Sequence, residues 1–440
     1  MARKYTKILA AFALSALMSA PSLSAQESDQ VTAADLANAT LKYHAPHETL
    51  KARPARSALL ANSVQGLDSI QTFGGFYSVF GYDDFGNPKT NWSYEMIGNS
   101  PASGVTTTFR APITPVSLLM LNANGTPRSV NGQLLYSDAT QYARKVLESP
   151  VFQNYAYSSS RTPTQIIDAL QRAEFWSTVG RDDEAVATIS PAGEAAASAP
   201  RGWHTLLEPK LATPKLMVLP HGSYQFALNS NGSCCAFVLV DINTFYNLLF
   251  PPSYPFDGST IIGAAELSGE MTTKDISSFL FPNTFLYLNG NPKDCCVGGF
   301  HQYDYEPGTP KNGNLPRLYV MNYSSWISPG IFGEGSEDIV ALSHELSETA
   351  NDPFVDNATP WWLAPFGLCQ NNLEVGDVIE GLPNATYPIK MNGFTYHPQN
   401  EAMLPWFEFK KAPGSIDGAY SYPDTHVLTA LSPVERAACK

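Results

Sequence analysis

The apolar positions of this chain change rhythm several times between its two ends. An uninterrupted apolar run, Ile8–Ala20, follows Arg3, Lys4 and Lys7 and precedes the small residues of Pro21-Ser-Leu-Ser-Ala25. That layout predicts a secretory signal peptide over residues 1–25, since the run is too short to span a bilayer. Residues 26–70 are polar and alanine-rich, with Arg53, Pro54 and Arg56 breaking any period, and predict a flexible, propeptide-like leader. From Phe73 onward, aromatic and aliphatic runs bounded by Gly, Pro and Asn predict strands at 76–81, 106–110 and 116–121. Helical spacing follows near 138–149 and 163–176, the second stretch carrying Ile166, Ile167, Leu170 and Phe175. An alanine-rich acidic segment, 186–198, reads as a surface loop or processing site. Strand patterns return beyond Trp203, at 215–219, 237–240, 285–288 and 318–323. The expected organisation is therefore an N-terminal region over 71–200 and a second region over 201–440.

The clearest helical pattern lies between residues 336 and 353. Ser336 is placed to cap the start, and Glu337 and Asp338 suit the positive end of the helix dipole. Ile339, Leu342, Leu346 and Ala350 recur at spacings of three and four and predict a buried stripe. Asn351-Asp352-Pro353 predicts the stop, because the residue before proline is driven out of the helical region. His344 and Glu348 are four apart, so they share one face, turned away from the stripe. Together they can hold one metal ion, with Glu345 beside it as the general base for a metal-bound water. The plain alternative is a polar helix face bearing an ordinary histidine and two glutamates.

The run His344-Glu-Leu-Ser-Glu348 resembles the H-E-x-x-H helix of metallopeptidases, with glutamate in place of the second histidine. Together with Asn351-Asp-Pro353, Glu374-Val-Gly-Asp377 and the upstream Cys-Cys and Gly-Phe-His301 segments, it is similar to the secreted Exordium/phosphate-induced protein group and its bacterial exported relatives. The resemblance spans roughly residues 210–425. It implies an α+β fold with a zincin-like mixed sheet, an active-site helix and many irregular loops, in an extracellular or cell-envelope setting. It also implies a third ligand from a segment well downstream of the helix, which favours Glu374. Asp377 is an alternative ligand, or an orienting partner for His344. Asp352 is the third candidate, although its place past the helix end suits a stop residue better. The strand at 318–323 is expected to lie against the helix, where such enzymes bind extended peptide.

Composition narrows the partners. The formal charge of −13 becomes about −16 once the signal peptide's three basic residues are removed, which argues against nucleic acid and anionic membranes. No later run is long enough to predict membrane insertion. The chain carries 34 prolines and 31 glycines, so irregular connections should be abundant. Six cysteines suit a secreted or periplasmic, oxidising setting. Adjacent cysteines seldom bridge each other, so Cys234/Cys235 are expected to link to Cys295/Cys296, and Cys369 to brace the segment carrying Glu374. A zinc knuckle on the Cys-Cys pairs has the wrong spacing. His301 reads as a strand residue near a bridge. His397 offers an oxyanion donor, or simply a surface histidine before Pro398. Trp361, Trp362, Phe366, Tyr396, Trp406 and Phe407 read as aromatic core rather than a substrate wall.

Three functions are compatible with these residues. The first is an exported metal-dependent hydrolase, a zinc peptidase (or one using another divalent metal) acting on peptide or cell-surface polymer. The second is a catalytically inert zincin-like scaffold that binds cell-surface polymers or proteins. A glycosidase built on Glu345 and Glu348 ranks last, because adjacent turns of one helix cannot flank a sugar bond from opposite sides.

Overall fold

The computed structural model describes residues 29–36, 39–43, 66–180, 202–251, 258–333, 335–365, 367–411, 413–431 and 439. The expected signal peptide, most of the leader and the 186–198 segment lie outside them. The longest strand, β3 (Thr107–Met120), is the axis of a seven-stranded sheet. Two separate runs were expected at 106–110 and 116–121; they are one strand. Its first half pairs in parallel with β4 (Thr205–Leu211) and its second half with β5 (Lys215–Leu219). On its other side it pairs in parallel with β8 (Ile276–Pro282), which pairs with β12 (Arg317–Trp326). The antiparallel β11 (Gly299–Glu306) closes that edge. Because strands from both sides of residue 200 interleave here, the expected regions 71–200 and 201–440 share one sheet.

A smaller sheet has the order β10–β9–β7–β6, where β6 is Tyr224–Leu228, β7 Cys234–Asp241, β9 Thr284–Tyr287 and β10 Cys295–Val297. The chain passes between the sheets twice within a single residue, at Asn283 and at Gly298. The architecture is thus α+β, with mixed sheets and many loops.

Helices cover both faces of the large sheet. α1 (Thr140–Leu147), α2 (Ile166–Glu174) and α5 (Val340–Asn351) lie on one side. α3 (Ile242–Leu249) and α4 (Ile261–Ser268) lie on the other. Asp241 caps α3 by accepting the Thr244 N–H at 2.9 Å. The strands serve both cores by alternation: Leu280 and Val320 point to α5, while Phe279, Phe281, Met321 and Tyr323 point to α3 and α4. This explains why the central strands read as continuous apolar runs. The strand expected at 318–323 does lie against α5.

Several expectations change. The cap at Ser336 does not form; the helix begins at Val340, because Asp338 bridges back to Ile327 and its carboxylate accepts the Ile339 N–H. The described part of the leader is not loose. Lys42 pairs in parallel with Val297, donating to Cys296 O at 2.8 Å and accepting from the Gly298 N–H at 2.6 Å. Leu41 and Tyr43, on either side of this single β-bridge, are both buried. Of the late aromatics, Trp362, Trp406 and Phe407 form one cluster and Tyr396 joins the core under α5, while Trp361 is half-buried and Phe366 lies outside the described residues.

The disulfides are Cys234–Cys235, Cys295–Cys296 and Cys369–Cys439. The expected bridge between the two adjacent pairs is ruled out by sheet order. β9 lies between β7 and β10, so the pairs sit two strand spacings apart laterally, roughly 9–10 Å, and are further offset along the strands because Cys295 is level with Asp241 rather than with Cys234, which puts them beyond disulfide reach. Cys369–Cys439 does brace the segment leading to Glu374, with 5.5 Å between Cα atoms. Replacing both of these cysteines with alanine should lower unfolding free energy by roughly 2–4 kcal/mol in urea titration. Unchanged stability would mean that this bridge constrains little.

Glu174 supplies a pH-dependent term away from any site. Burial raises its carboxyl to about 8, although its Oε1 accepts the Leu404 N–H at 2.5 Å. The unfolded chain ionises this group near 4.5, so the stability from its proton is lost as pH rises from there through about 8. Glu174→Gln, which keeps the acceptor, should match wild type near pH 5. By pH 9 it should gain on wild type by about 1–3 kcal/mol, read as a shift in urea midpoint.

Candidate metal centre

Helix α5 is buried along all twelve residues, including Ser343, His344, Glu345, Ser347 and Glu348. Ile339, Leu342, Leu346 and Ala350 form the expected stripe against the large core. The opposite face meets three other segments: β11, the turn after β14 (Cys369–Asn372), and the loop carrying Gln399. Buried polar groups need partners, and these segments supply them.

His344 is fixed in one tautomer by its neighbours. Gln399 donates from Nε2 to Gly376 O at 2.7 Å, which leaves Oε1 facing His344 Nδ1 at 3.1 Å. Nδ1 therefore carries the proton, and Nε2 points inward toward Glu348 Oε1 at 3.1 Å and Asp377 Oδ1 at 3.5 Å. His344 Nε2 has no hydrogen-bond partner of good geometry among the described residues, and His344 is 0% exposed. Glu348 Oε1 also accepts the N–H groups of Gly376 and Asp377, at 3.1 and 3.3 Å.

The second histidine is His301. It is the strand residue near a bridge that its pattern suggests, but it also reaches the centre. Its Nε2 donates to Asp352 O at 3.1 Å, so Nδ1 faces Glu348 Oε2 at 3.3 Å and Glu345 Oε2 at 3.7 Å. Nothing in its local sequence marks it, because only the pairing of β11 with β12 brings it beside α5.

The sequence-derived ligands separate in space. His344 and Glu348 come together with Asp377, the alternative third ligand. Glu374, the favoured one, lies instead on the far side of the His301 ring, its Oε2 3.7 Å from Nε2 and its Oε1 bonded to Asn372. The turn at Gly376 carries Asp377, rather than Glu374, back to the helix. Asp352 is the helix stop: its Oδ1 accepts the N–H groups of Asp356 and Asn357. Glu345 joins His301 and Glu348 in a second group, so His344 and Glu345 belong to different sets. His397 is bound to Asp338 at 2.7 Å, in a further group with Glu337, and belongs to neither group on α5.

These buried His, Glu and Asp groups can hold a metal ion. A zinc ion with bonds of about 2.0–2.2 Å in tetrahedral geometry separates its ligand atoms by roughly 3.3–3.6 Å, close to the spacings here. Without an ion the centre is electrostatically costly. Burial opposes protonation of both histidines, yet the adjacent carboxylates raise them well above the usual imidazole range. Burial likewise opposes ionisation of Glu348, but His344 and His301 hold it far below the carboxylate range. For Glu345 burial wins and lifts the carboxyl to about 8. Neither Glu345 oxygen accepts a hydrogen bond of good geometry.

Two glycines make room for these side chains. A Cβ on Gly376 would lie 2.5 Å from His344 Cε1 and Nδ1, and one on Gly299 would collide with the Glu345 carboxylate. Gly376→Ala should therefore displace His344 and reduce metal retention at least tenfold in equilibrium dialysis. Gly333→Ala, which meets nothing within 4 Å, is the control and should bind normally. Equal retention by both variants would remove His344 from the ligand set.

No family model, curated protein or solved structure matches the chain, so the likeness to the phosphate-induced group rests on its motif residues alone.

Proposed function

We propose that this chain is an exported metal-dependent hydrolase, a zinc peptidase whose ion sits on His344, Glu348 and Asp377. The observation that carries the reading is the inward-facing His344 Nε2, which has no hydrogen bond of good geometry among the described residues and lies one helical residue from Glu345, whose carboxylate has none either. When bound, zinc supplies Lewis acidity toward water and the substrate carbonyl, moderated here by two anionic donors. Gln399 and the Gly376 carbonyl hold the imidazole tautomer. Glu345 takes the proton from water and returns it to the leaving amine. The three disulfides and the apolar Ile8–Ala20 run support an exported protein.

A second reading, the inert scaffold, has one observation in its favour. The centre is sealed, and the Tyr43 ring lies on the His344 ring at 4.6 Å between centroids. In that reading the ion only stabilises the fold, and the surface binds cell-surface polymers or proteins. For the hydrolase, the segment carrying Tyr43 has to move aside to admit a substrate.

Glu345→Gln separates the two. The hydrolase reading expects the variant to keep the zinc on His344 and the native fold while peptide hydrolysis falls at least a hundredfold, since the amide cannot accept a proton. Cleavage of a mixed peptide library equal to wild type would sink the mechanism. No cleavage by either protein, with zinc bound, would favour the scaffold.

A further inference from the structure

Glu348 faces two histidines with two different oxygens. Oε1 is turned to His344 and Asp377, and Oε2 to His301. Each histidine donates its outer N–H to a carbonyl oxygen, of the Gln399 side chain or the Asp352 backbone, and presents its other nitrogen to the same carboxylate. The ligand atoms accordingly form two groups, His344–Glu348–Asp377 and His301–Glu348–Glu345, each within 4.8 Å and joined by Glu348.

We infer that the centre takes two divalent cations bridged by the Glu348 carboxylate, one on His344 Nε2 and Asp377, the other on His301 Nδ1 and Glu345. Carboxylate-bridged pairs lie about 3.5–4 Å apart. A carboxylate with one oxygen toward each group has the required reach, whereas histidine at position 348 would offer one nitrogen to one ion.

Charge supports a pair. Glu345, Glu348 and Glu374 are all buried, and among the described residues their ion pairs are with imidazoles, none with lysine or arginine. Carboxylates bind a cation in their deprotonated form, so with Glu345, Glu348, Glu374 and Asp377 ionised and both imidazoles neutral, one divalent ion would leave the cluster at about −2, and buried uncompensated charge costs several kcal/mol. A second cation offsets it. Of the Glu345 oxygens, Oε2 is the one turned to His301 Nδ1, at 3.7 Å, and so the one placed to share an ion with it.

The inference rests on the proposed ion at His344 and goes beyond it, so the test reads the halves separately. Purified protein is stripped with chelator, reloaded with zinc, desalted and assayed for bound metal. Two equivalents are expected for wild type, and a twofold drop, to one, for His301→Ala. One equivalent in wild type that survives His301→Ala but is lost in His344→Ala overturns the pair and leaves the proposed function standing. One equivalent lost only in His301→Ala overturns both, as does no retained zinc. Should His301→Ala fail to fold, wild type loaded with Mn2+ decides by electron paramagnetic resonance. A coupled pair is expected, with hyperfine spacing half that of an isolated ion; isolated ions alone overturn the pair.

Discussion

A helix buried on every side has to satisfy its polar side chains within the protein, and α5 organises much of this structure around that requirement. Its apolar stripe is accommodated by the large sheet as in any amphipathic helix. Its other face brings His344, Glu345 and Glu348 into the interior, where they need counter-groups that water cannot provide. β11, the Gly376 turn and Gln399 are all placed by that need. Gly376 lacks a side chain where the His344 ring passes, and Gly299 lacks one where Glu345 does.

Glu348 is the hub. Two backbone N–H groups and two imidazoles converge on its two oxygens. That concentration of donors explains why it stays ionised while neighbouring Glu345, with fewer, is lifted to about 8. It also explains the departure from the metallopeptidase pattern. A histidine at 348 would leave the amides of Gly376 and Asp377 without their acceptor, so glutamate here is a different solution and not a degraded copy.

The sheets explain how distant segments reach one helix. The chain crosses between them at Asn283 and Gly298, and the second crossing launches β11 so that His301 falls beside α5. The same passage lets residues 40–43 add to the edge at β10, which sets Tyr43 over His344. Closure of the centre thus follows from edge-strand pairing, a backbone interaction that leaves little trace in side-chain pattern.

Local periodicity carried the features decided within a few residues. The α5 stripe, the shared face of His344 and Glu348, the stop before Pro353 and the strand at Lys215–Leu219 all depend on short-range geometry, and all were legible. Trp362, Trp406 and Phe407 were legible as core on a different ground, the apolar area that aromatic rings bury. Choices between long-range partners were not. The family resemblance favoured Glu374, but the Gly376 turn delivers Asp377 to His344 and leaves Glu374 behind His301. Two adjacent cysteine pairs looked joinable until β9 came between their strands. His301 stood in an ordinary strand pattern, and its second nitrogen acquired chemical meaning only when β11 paired with β12. Sequence by itself determined which side chains share a face, because that depends on backbone repeat; tertiary structure decided which faces meet, because that depends on strand order and crossings that no local pattern encodes.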